Sequence, residues 1–279
     1  MKPARFDYAR AASLDEATRL LGEAGGAGKA LAGSQSLGPM LNLRIAQPEL
    51  LVDITSIPEL TTVTEHRDHV DIGACVTHAD IEDGRISDPS SGLLSYVAGG
   101  IAYRAVRNRG TVGGSLAHAD PAADWVSVIP LLGAELLTRS PRGNRVIAAD
   151  RLMVSSFVTT LEADELIRAI RVPKMSAGSR WGFCKFNQKV GEFAHAIGAI
   201  LYDPDNRRYR AVIGAIETAP IVLADATTLF AGPFGPDLDT RLDVKALLAL
   251  LDAKEVTDEY TRQLVPVALR RAAKQASAS

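Results

Sequence analysis

Two short segments combine glycine with hydroxyl-bearing residues and are the strongest candidates for ligand binding: residues 32–36 (AGSQS) and 111–115 (TVGGS). Glycine lets a backbone approach a ligand closely, and successive free N–H groups in such turns form concavities that bind anions such as diphosphates. One small-residue turn is usually no more than a turn. Two of them, each beside an apolar strand-like segment, favour a diphosphate site split between two parts of the chain.

Other kinds of site find little support in the sequence. There is no Gly-x-x-x-x-Gly-Lys-Ser/Thr loop, and the glycines between residues 22 and 28 lack the spacing of a dinucleotide fingerprint. There is no Gly-x-Ser-x-Gly elbow and no evident nucleophile–base pair. His66 and His69 lie in a charged stretch that indicates a solvated turn, and no histidine spacing is typical of a metal site. We therefore expect no catalytic side chain and no metal ligand.

Composition narrows the function further. The net charge of the 279 residues is −2, which does not indicate binding to nucleic acid or to a membrane surface. The chain has two cysteines, Cys75 and Cys184, and a cysteine-ligated iron–sulfur cluster usually takes four thiolates, so the chain cannot hold one alone. The N-terminus lacks secretory features, and no apolar run reaches the ~20 residues of a membrane span. We expect a cytoplasmic protein with two buried, reduced thiols.

The segments around the two motifs predict an α+β pattern without a regular βαβ series. Ser13 and Glu16 form a capping box before a helix over 14–21, and residues 29–32 predict a buried strand that leads into the first motif. A helix over 37–45 follows that motif. The second motif is expected to be a turn ahead of a helix over 124–132.

A stretch rich in Pro, Gly and Ser at 172–179 predicts a domain boundary. Beyond it we expect three strands, over 181–186, 194–201 and 210–216, and then helices over 244–251 and 260–275. Pro266 lies inside the last helix and predicts either a kink or the start of a second helix there.

Four segments resemble the medium, FAD-binding subunits of the xanthine dehydrogenase and carbon monoxide dehydrogenase family, the molybdenum hydroxylases. Residues 32–54 (AGSQSLGPMLNLRIAQPELLVDI) resemble the first flavin motif of these subunits, and residues 109–124 (RGTVGGSLAHADPAAD) resemble the second. Residues 165–173 and 185–194 continue the similarity, which covers nearly the whole chain. The motifs are long and come in the family's order, so the resemblance is specific.

This resemblance implies an α+β fold: a two-lobed FAD-binding fold of the vanillyl-alcohol oxidase (PCMH) type with a C-terminal α+β lobe. Residues 1–174 would be the FAD-binding domain, with lobes at about 1–56 and 57–174. Residues 175–279 would be the C-terminal domain of the carbon monoxide dehydrogenase flavoprotein type, built from three antiparallel strands and helices.

The resemblance also implies an electron-transfer subunit of an oxidoreductase. FAD would be bound to this chain, molybdopterin to a large partner subunit, and two 2Fe–2S clusters to a small one. The assembly would be a heterotrimer or a dimer of heterotrimers. Electrons would pass from molybdenum through the clusters to FAD and then to an external acceptor, while the large subunit hydroxylates an N-heterocycle, an aldehyde or carbon monoxide.

Carried onto this sequence, the family's FAD site includes residues of both motifs and of four further segments. Residues of the motifs would line the diphosphate and ribityl chain, and the Cα of Gly114 would lie against the diphosphate. Asp124 would accept a hydrogen bond from the ribose or adenine side, and Lys185 would approach the flavin ring or diphosphate. The full set is Lys29, Ala30, Leu31, Ala32, Gly33, Ser34, Gln35, Ser36, Leu37, Ile101, Ala102, Gly110, Thr111, Gly114, Ser115, His118, Asp124, Leu166, Ile167 and Lys185.

Two departures from the family pattern stand out. Ser34 replaces a glycine that is usual in the first motif, which is tolerable if its backbone keeps a negative φ. Glu192 and Phe193 stand where the family usually has Asp and then Phe or Tyr, so Glu192 changes the local contacts and Phe193 lacks the hydroxyl that a tyrosine would offer there.

Two alternatives stay open. One is a free-standing FAD-dependent oxidase or reductase of the same fold, and the other is a flavin-free interaction protein. The intact motifs disfavour the second, and the ~100 residues after Pro173 disfavour the first, because free-standing members of the wider fold usually carry a larger substrate domain. The substrate and the electron acceptor are not specified by this chain.

Overall fold

The computed structural model describes residues 2–278. The strands are β1 (Asp7–Arg10), β2 (Gly28–Leu31), β3 (Leu50–Asp53), β4 (Val63–Glu65), β5 (His69–Gly73), β6 (Glu135–Ser140), β7 (Gly143–Ala148), β8 (Met153–Ser155), β9 (Val158–Thr159), β10 (Leu166–Pro173), β11 (Arg180–Phe186), β12 (Ala196–Asp203), β13 (Arg208–Gly214) and β14 (Ile221–Leu223). The helices are α1 (Leu14–Glu23), α2 (Leu37–Asn42), α3 (Pro58–Thr61), α4 (His78–Glu82), α5 (Leu93–Gly99), α6 (Arg104–Arg107), α7 (Val112–His118), α8 (Asp124–Leu131), α9 (Val244–Asp252) and α10 (Glu259–Ala278).

The first sheet is small and parallel, in the order β1-β3-β2. Helix α1 begins where predicted: the Ser13 hydroxyl accepts from the Glu16 N–H, and the Glu16 carboxylate accepts from the Ala12 N–H at 2.8 Å. The prediction missed strand β1 and therefore the local βαβ arrangement. Its sequence, DYAR, carries almost no apolar signal because most of it is exposed. This sheet ends at the first glycine-rich motif.

The second sheet is antiparallel, in the order β4-β5-β10-β6-β7. Helix α8 is buried along its whole length, and Trp125 is 0% exposed in the core that the helix shares with this sheet. That burial explains why the helix is apolar on every side. The sheet and α8 therefore form the rigid wall beside which the second motif lies.

The third sheet has four antiparallel strands, β11-β12-β13-β14, so the expected number of three was wrong. Strand β14 was missed because it has only three residues. Strand β12 is buried on both faces: Ile197 packs in the core shared with α8, and Ile200 packs in a second core against α10. This two-sided burial accounts for its continuous apolar sequence.

Helix α10 is one continuous helix that contains Pro266, so of the two alternatives the start of a second helix does not occur. It lies along the four-stranded sheet and buries Ala268, Leu269 and Ala272 completely. In residues 2–278, no helix combines the length and the apolar character that crossing a membrane requires.

Candidate functional site

A cavity of about 500 Å³ lies where the three sheets meet. Its walls come from both glycine-rich motifs, from Leu166 and Ile167 on β10, and from Lys185 on β11. The segments that the sequence singled out, which are far apart in the chain, are therefore brought to one place.

Of the twenty predicted site residues, all but Leu31 line this cavity. Leu31, the last residue of β2, is the exception, although Lys29, Ala30 and Ala32 around it all line the cavity. A contact between Leu31 and the cofactor stays a prediction.

The first motif is an irregular loop between β2 and α2. Ser34 has φ of 61°, so the negative φ that would make a serine tolerable at this glycine position is not present. A residue in this left-handed conformation beside right-handed neighbours turns successive N–H groups toward one side. The N–H groups of Gly33, Ser34, Gln35 and Ser36 have no acceptor in the part of the chain that is described, and the loop lines the cavity.

The loop is also held in place from behind. A Cβ added to Gly33 would lie 1.8 Å from the carbonyl oxygen of Arg109, so the first loop touches the backbone just before the second motif. The Gln35 side-chain amide donates to the carbonyl oxygen of Gly33 at 2.9 Å and fixes the loop from within. Gly33 is required for this close approach between two backbone segments.

The second motif is the beginning of helix α7, and the prediction of a turn was wrong. Thr111 is the N-cap residue, and its hydroxyl accepts from the Gly114 N–H at 3.1 Å. The N–H of Val112 donates to Val76, that of Gly113 to Ala74, and that of Ser115 to Thr111. The N–H groups of residues 112–115 are thus all used within the protein, and none is free to bind an anion.

Gly114 is constrained first by its own helix. A Cβ at Gly114 would lie 2.7 Å from the Thr111 hydroxyl oxygen and 3.7 Å from Ala32 Cβ. The expected collision with a ligand diphosphate stays a prediction, but the collision with the Thr111 cap is present without any ligand.

Asp124 and Lys185 form a buried ion pair at the cavity. Their side chains are 5% and 10% exposed, and Lys185 Nζ lies 2.9 Å from Asp124 Oδ2. Burial raises the pKa of Asp124, and the neighbouring Lys185 cation opposes that rise. The other oxygen, Oδ1, is buried and has no hydrogen-bond partner within residues 2–278. A buried carboxylate oxygen without a partner is costly, and a donor from a ligand would satisfy it.

His78 is a buried cavity residue that the sequence analysis did not select. Its Nδ1 accepts from Trp125 Nε1 at 3.1 Å, and its backbone N–H donates to Gly110. Burial, with a contribution from the Arg107 charge, lowers the pKa of His78 to about 4. The ring is therefore neutral at pH 7. Because Nδ1 accepts from Trp125, the proton of the neutral ring is on Nε2. The His78 ring, which lines the cavity, therefore offers a hydrogen-bond donor.

Other residues complete the walls. Burial lowers the pKa of His118, against the opposing effect of Asp120, and its ring packs 5.2 Å from that of Phe157. Cys75 is buried and also lines the cavity, while Cys184 is only partly buried, and both thiols are free. No sequence signal marks Cys75 or His78, because each enters the cavity through a tertiary contact.

The segment around Glu192 closes one side of the cavity. Gly191 pairs with Ile101 in an isolated parallel bridge, and Glu192 and Phe193 both line the cavity. Phe193 remains 64% exposed and Val190 is 90% exposed. The departures at Glu192 and Phe193 therefore lie at the cavity edge and not at its buried centre.

Comparison with known proteins gives concordant matches. Residues 4–175 match the model of the FAD binding domain in molybdopterin dehydrogenase. The chain is 39% identical to the 6-hydroxypseudooxynicotine dehydrogenase complex subunit alpha of Paenarthrobacter nicotinovorans, over 78% of this chain and 76% of that one. It is 33% identical to caffeine dehydrogenase subunit beta of Pseudomonas sp. strain CBB1, over 99% and 96% of the two chains.

The fold has solved counterparts as well. A chain of carbon monoxide dehydrogenase from Hydrogenophaga pseudoflava superposes with a TM-score of 0.86 at 32% identity, covering 100% of this chain and 99% of that one. That structure lacks the Mo-pyranopterin moiety of its molybdenum cofactor.

Proposed function

The chain belongs to the family of FAD-binding medium subunits of molybdenum hydroxylases, and we propose that the cavity between its three sheets holds one FAD noncovalently. In this role the subunit takes electrons from the iron–sulfur clusters of a partner and passes them to an external acceptor. The proposal depends on one observation: residues 33–36, whose four N–H groups have no acceptor among residues 2–278, line the same cavity as the partnerless Asp124 oxygen.

The first loop fits the diphosphate of FAD. Consecutive free N–H groups around a residue with positive φ form an anion-binding nest, and Ser34 supplies that conformation here. The contact between Gly33 and Arg109 fixes the nest before any ligand arrives, so little conformational entropy is lost on binding.

Asp124 fits a hydroxyl or N–H donor of the same cofactor. Its Oδ2 is occupied by Lys185, so only Oδ1 remains for the ligand. The Lys185 cation opposes the rise in the pKa of Asp124 that burial causes, and its hydrogen bond holds the carboxyl group in position.

Apolar side chains supply the remaining surface for planar rings. Ile101, Ala102, Leu166 and Ile167 line the cavity, and the last two are about 95% buried. When bound, FAD exchanges electrons singly or in pairs, which suits it to join one-electron clusters to another acceptor. The protein contributes binding, orientation and exclusion of water.

The partners proposed for this chain follow from its family. A large subunit would carry molybdopterin and select the substrate, and a small subunit would carry two 2Fe–2S clusters, in a single or doubled heterotrimer. Cys75 and Cys184 cannot ligate a four-thiolate cluster, which supports placing the clusters elsewhere. Substrate assays therefore begin with N-heterocycles, aldehydes and carbon monoxide on the assembled complex.

Release of the cofactor tests the binding proposal. Denaturing the complex should liberate one FAD per copy of this chain, identified by mass and chromatography. FMN, or protein made with its partners that carries no flavin, would contradict it.

Anaerobic reduction separates the electron relay from a free-standing oxidase. The isolated chain loaded with FAD should not be reduced by the substrate of the complex, whereas the reconstituted complex should be reduced rapidly. Rapid reduction of the isolated chain would favour the free-standing oxidase. A chemical reductant that reduces FAD in both samples serves as the control for cofactor integrity.

A further inference from the structure

Three side chains with metal-ligating atoms converge on the β4–β5 hairpin, away from the FAD cavity. The backbone N–H of His66 donates to the backbone carbonyl oxygen of His69 at 2.9 Å across the hairpin. Asp71 follows His69 by two residues. Residues opposite each other, and residues two apart on a strand, project from the same face of a sheet. The two imidazole rings are stacked with centroids 4.2 Å apart. One ligand atom from each of the three side chains lies within 4.8 Å of the others.

His69 is already held in the form that binds a metal ion. Its Nδ1 lies 2.7 Å from Asp68 Oδ1, and a carboxylate can only accept, so Nδ1 carries a proton. In the neutral ring the lone pair is then on Nε2. That nitrogen is buried and has no hydrogen-bond partner among the described residues. A carboxylate that fixes the far nitrogen of a ligating histidine is a common supporting feature of metal sites.

The spacing of the ligand atoms is close to that of a coordination site. His69 Nε2 lies 3.7 Å from Asp71 Oδ1, and His66 Nε2 lies 3.7 Å from Asp71 Oδ2. Ligands ~2.0–2.1 Å from a tetrahedral ion are roughly 3.3 Å apart, so small side-chain rotations would bring these atoms into range. The present arrangement places the lone pair of His69 Nε2 against an Asp71 carboxylate oxygen, and a cation between them would relieve that repulsion.

We propose that His66, His69 and Asp71 form a binding site for a divalent transition-metal ion, with zinc the best match to two imidazoles and one carboxylate. A fourth position is left for water, because the His66 side chain is 41% exposed whereas that of Asp71 is 13% exposed. The ion would join the two sides of the hairpin at the edge of the five-stranded sheet. None of the three residues lines the cavity, so the function proposed for the cavity is unchanged.

Arg171 sets the strength of this site. It donates to Asp71 from Nε at 3.0 Å and from Nη2 at 3.2 Å, which orients the carboxylate but places a positive charge near the ion. Glu135 lies 3.9 Å from Arg171 Nη1 and offsets part of that charge. The site should therefore bind the ion more weakly than a closed structural zinc site does. Because a weakly bound ion is lost during purification, the site is best detected by titration.

The test is titration of the untagged full chain, stripped with chelator, with Zn²⁺ in a calorimeter and with Co²⁺ followed by visible absorption. One equivalent should bind with a saturable cobalt band. His69→Gln should weaken binding ~100-fold, and Asp68→Asn should weaken it by about 10- to 100-fold, because it removes only the supporting carboxylate. His195→Gln, a histidine in the C-terminal sheet region, is the matched control and should bind as the wild type does.

Either of two results would overturn the site: no saturable binding of either ion to the wild type, or undiminished binding in the His66→Gln/His69→Gln double variant. Wild-type affinity in Asp68→Asn would overturn the assignment of the His69 proton. Because both histidines lie on an exposed hairpin, circular dichroism and the unchanged FAD content of each variant check that the chain is folded.

Discussion

Among the described residues, the backbone N–H groups of 33–36 have no acceptor, whereas in 112–115 every N–H donates to an acceptor within the protein. The two segments have similar compositions, and both line the cavity. In the first, glycine permits contact with Arg109 while the loop presents its donors. In the second, Gly113 permits contact with Ala74, since an added Cβ would lie 2.4 Å from Ala74 Cβ. The first motif is therefore suited to bind an anion, and the second is suited to support it.

The largest expected effect comes from Gly33→Val. The added side chain would collide with the Arg109 carbonyl oxygen, displace the first loop and scatter its four donors. We expect FAD retained after gel filtration to fall to a small fraction of the wild-type amount, with a loss of ~3 kcal/mol or more in the free energy of unfolding.

Gly22→Ala is the matched control for that substitution. A Cβ at Gly22 would meet nothing closer than 3.7 Å, so FAD content and stability should stay near wild type. Normal FAD content in Gly33→Val would show that the contact between the two motifs does not shape the binding loop.

Gly114→Ala should have the next largest effect, and a double-mutant cycle identifies its cause. The new methyl group collides with the Thr111 hydroxyl, so the FAD-free protein should lose about 1–3 kcal/mol of stability. Thr111→Ala removes the cap and should itself cost ~1 kcal/mol. In the Thr111→Ala background, Gly114→Ala should then lower the free energy of unfolding clearly less than it does in the wild type.

Equal costs in both backgrounds would contradict this explanation. If Gly114→Ala lowers FAD affinity while leaving the stability of the FAD-free protein unchanged, the glycine is instead needed for the cofactor, and the second motif binds as directly as the first.

Acid should weaken the supporting motif, because His78 packs against Gly110. The pKa of His78 is lowered to about 4 in the fold, below its ordinary value of 6.5, chiefly by burial. Between these values the unfolded chain binds the extra proton, so stability decreases as pH falls through this range. From pH 7 to pH 5 this residue should account for on the order of 2 kcal/mol.

Urea unfolding of the wild type and of His78→Gln across this pH range measures that contribution. The wild type should lose more free energy of unfolding than His78→Gln does as the pH falls. A constant difference would mean that His78 titrates normally and is not buried as described.

The smallest effect is expected for Ser34→Gly. A non-glycine residue with φ of 61° costs roughly 1 kcal/mol, and glycine relieves that cost while losing more entropy on folding. Stability should change by less than ~1 kcal/mol, and FAD affinity should stay within a few-fold. Ser36→Gly is the control: φ there is −106°, so no strain is relieved and the variant should be less stable than Ser34→Gly. The opposite order would indicate that Ser34 is not strained.

Features that depend on local sequence were largely predicted, whereas features that depend on tertiary contacts were not. The helix capped by Ser13 and the strand before the first motif follow from sequence patterns, and nineteen of the twenty site residues chosen by family resemblance line the cavity. The positive φ of Ser34 has no signal in composition, because serine usually adopts a negative φ. The second motif was mistaken for a turn because its Thr111 cap lacks the Glu or Gln that completes a capping box.

Pairings between distant residues were equally hidden. Lys185 is on strand β11 and Asp124 begins helix α8, and nothing in the sequence of either segment predicts their ion pair. The histidines at 66 and 69 looked like a charged turn because hairpin register, which places both rings on one face with Asp71, cannot be read from composition.

The contact of Gly33 with Arg109 also bears on how the protein is made. A ribosome completes the first loop long before Arg109 is joined to the chain, and Lys185 follows the loop by roughly 150 residues, or about 8–30 s of synthesis. The loop gains its backing once Arg109 is added, but Asp124 gains its partner only with Lys185. We therefore expect flavin uptake to be a late event, because a nascent chain that stops before β11 lacks one wall of the cavity.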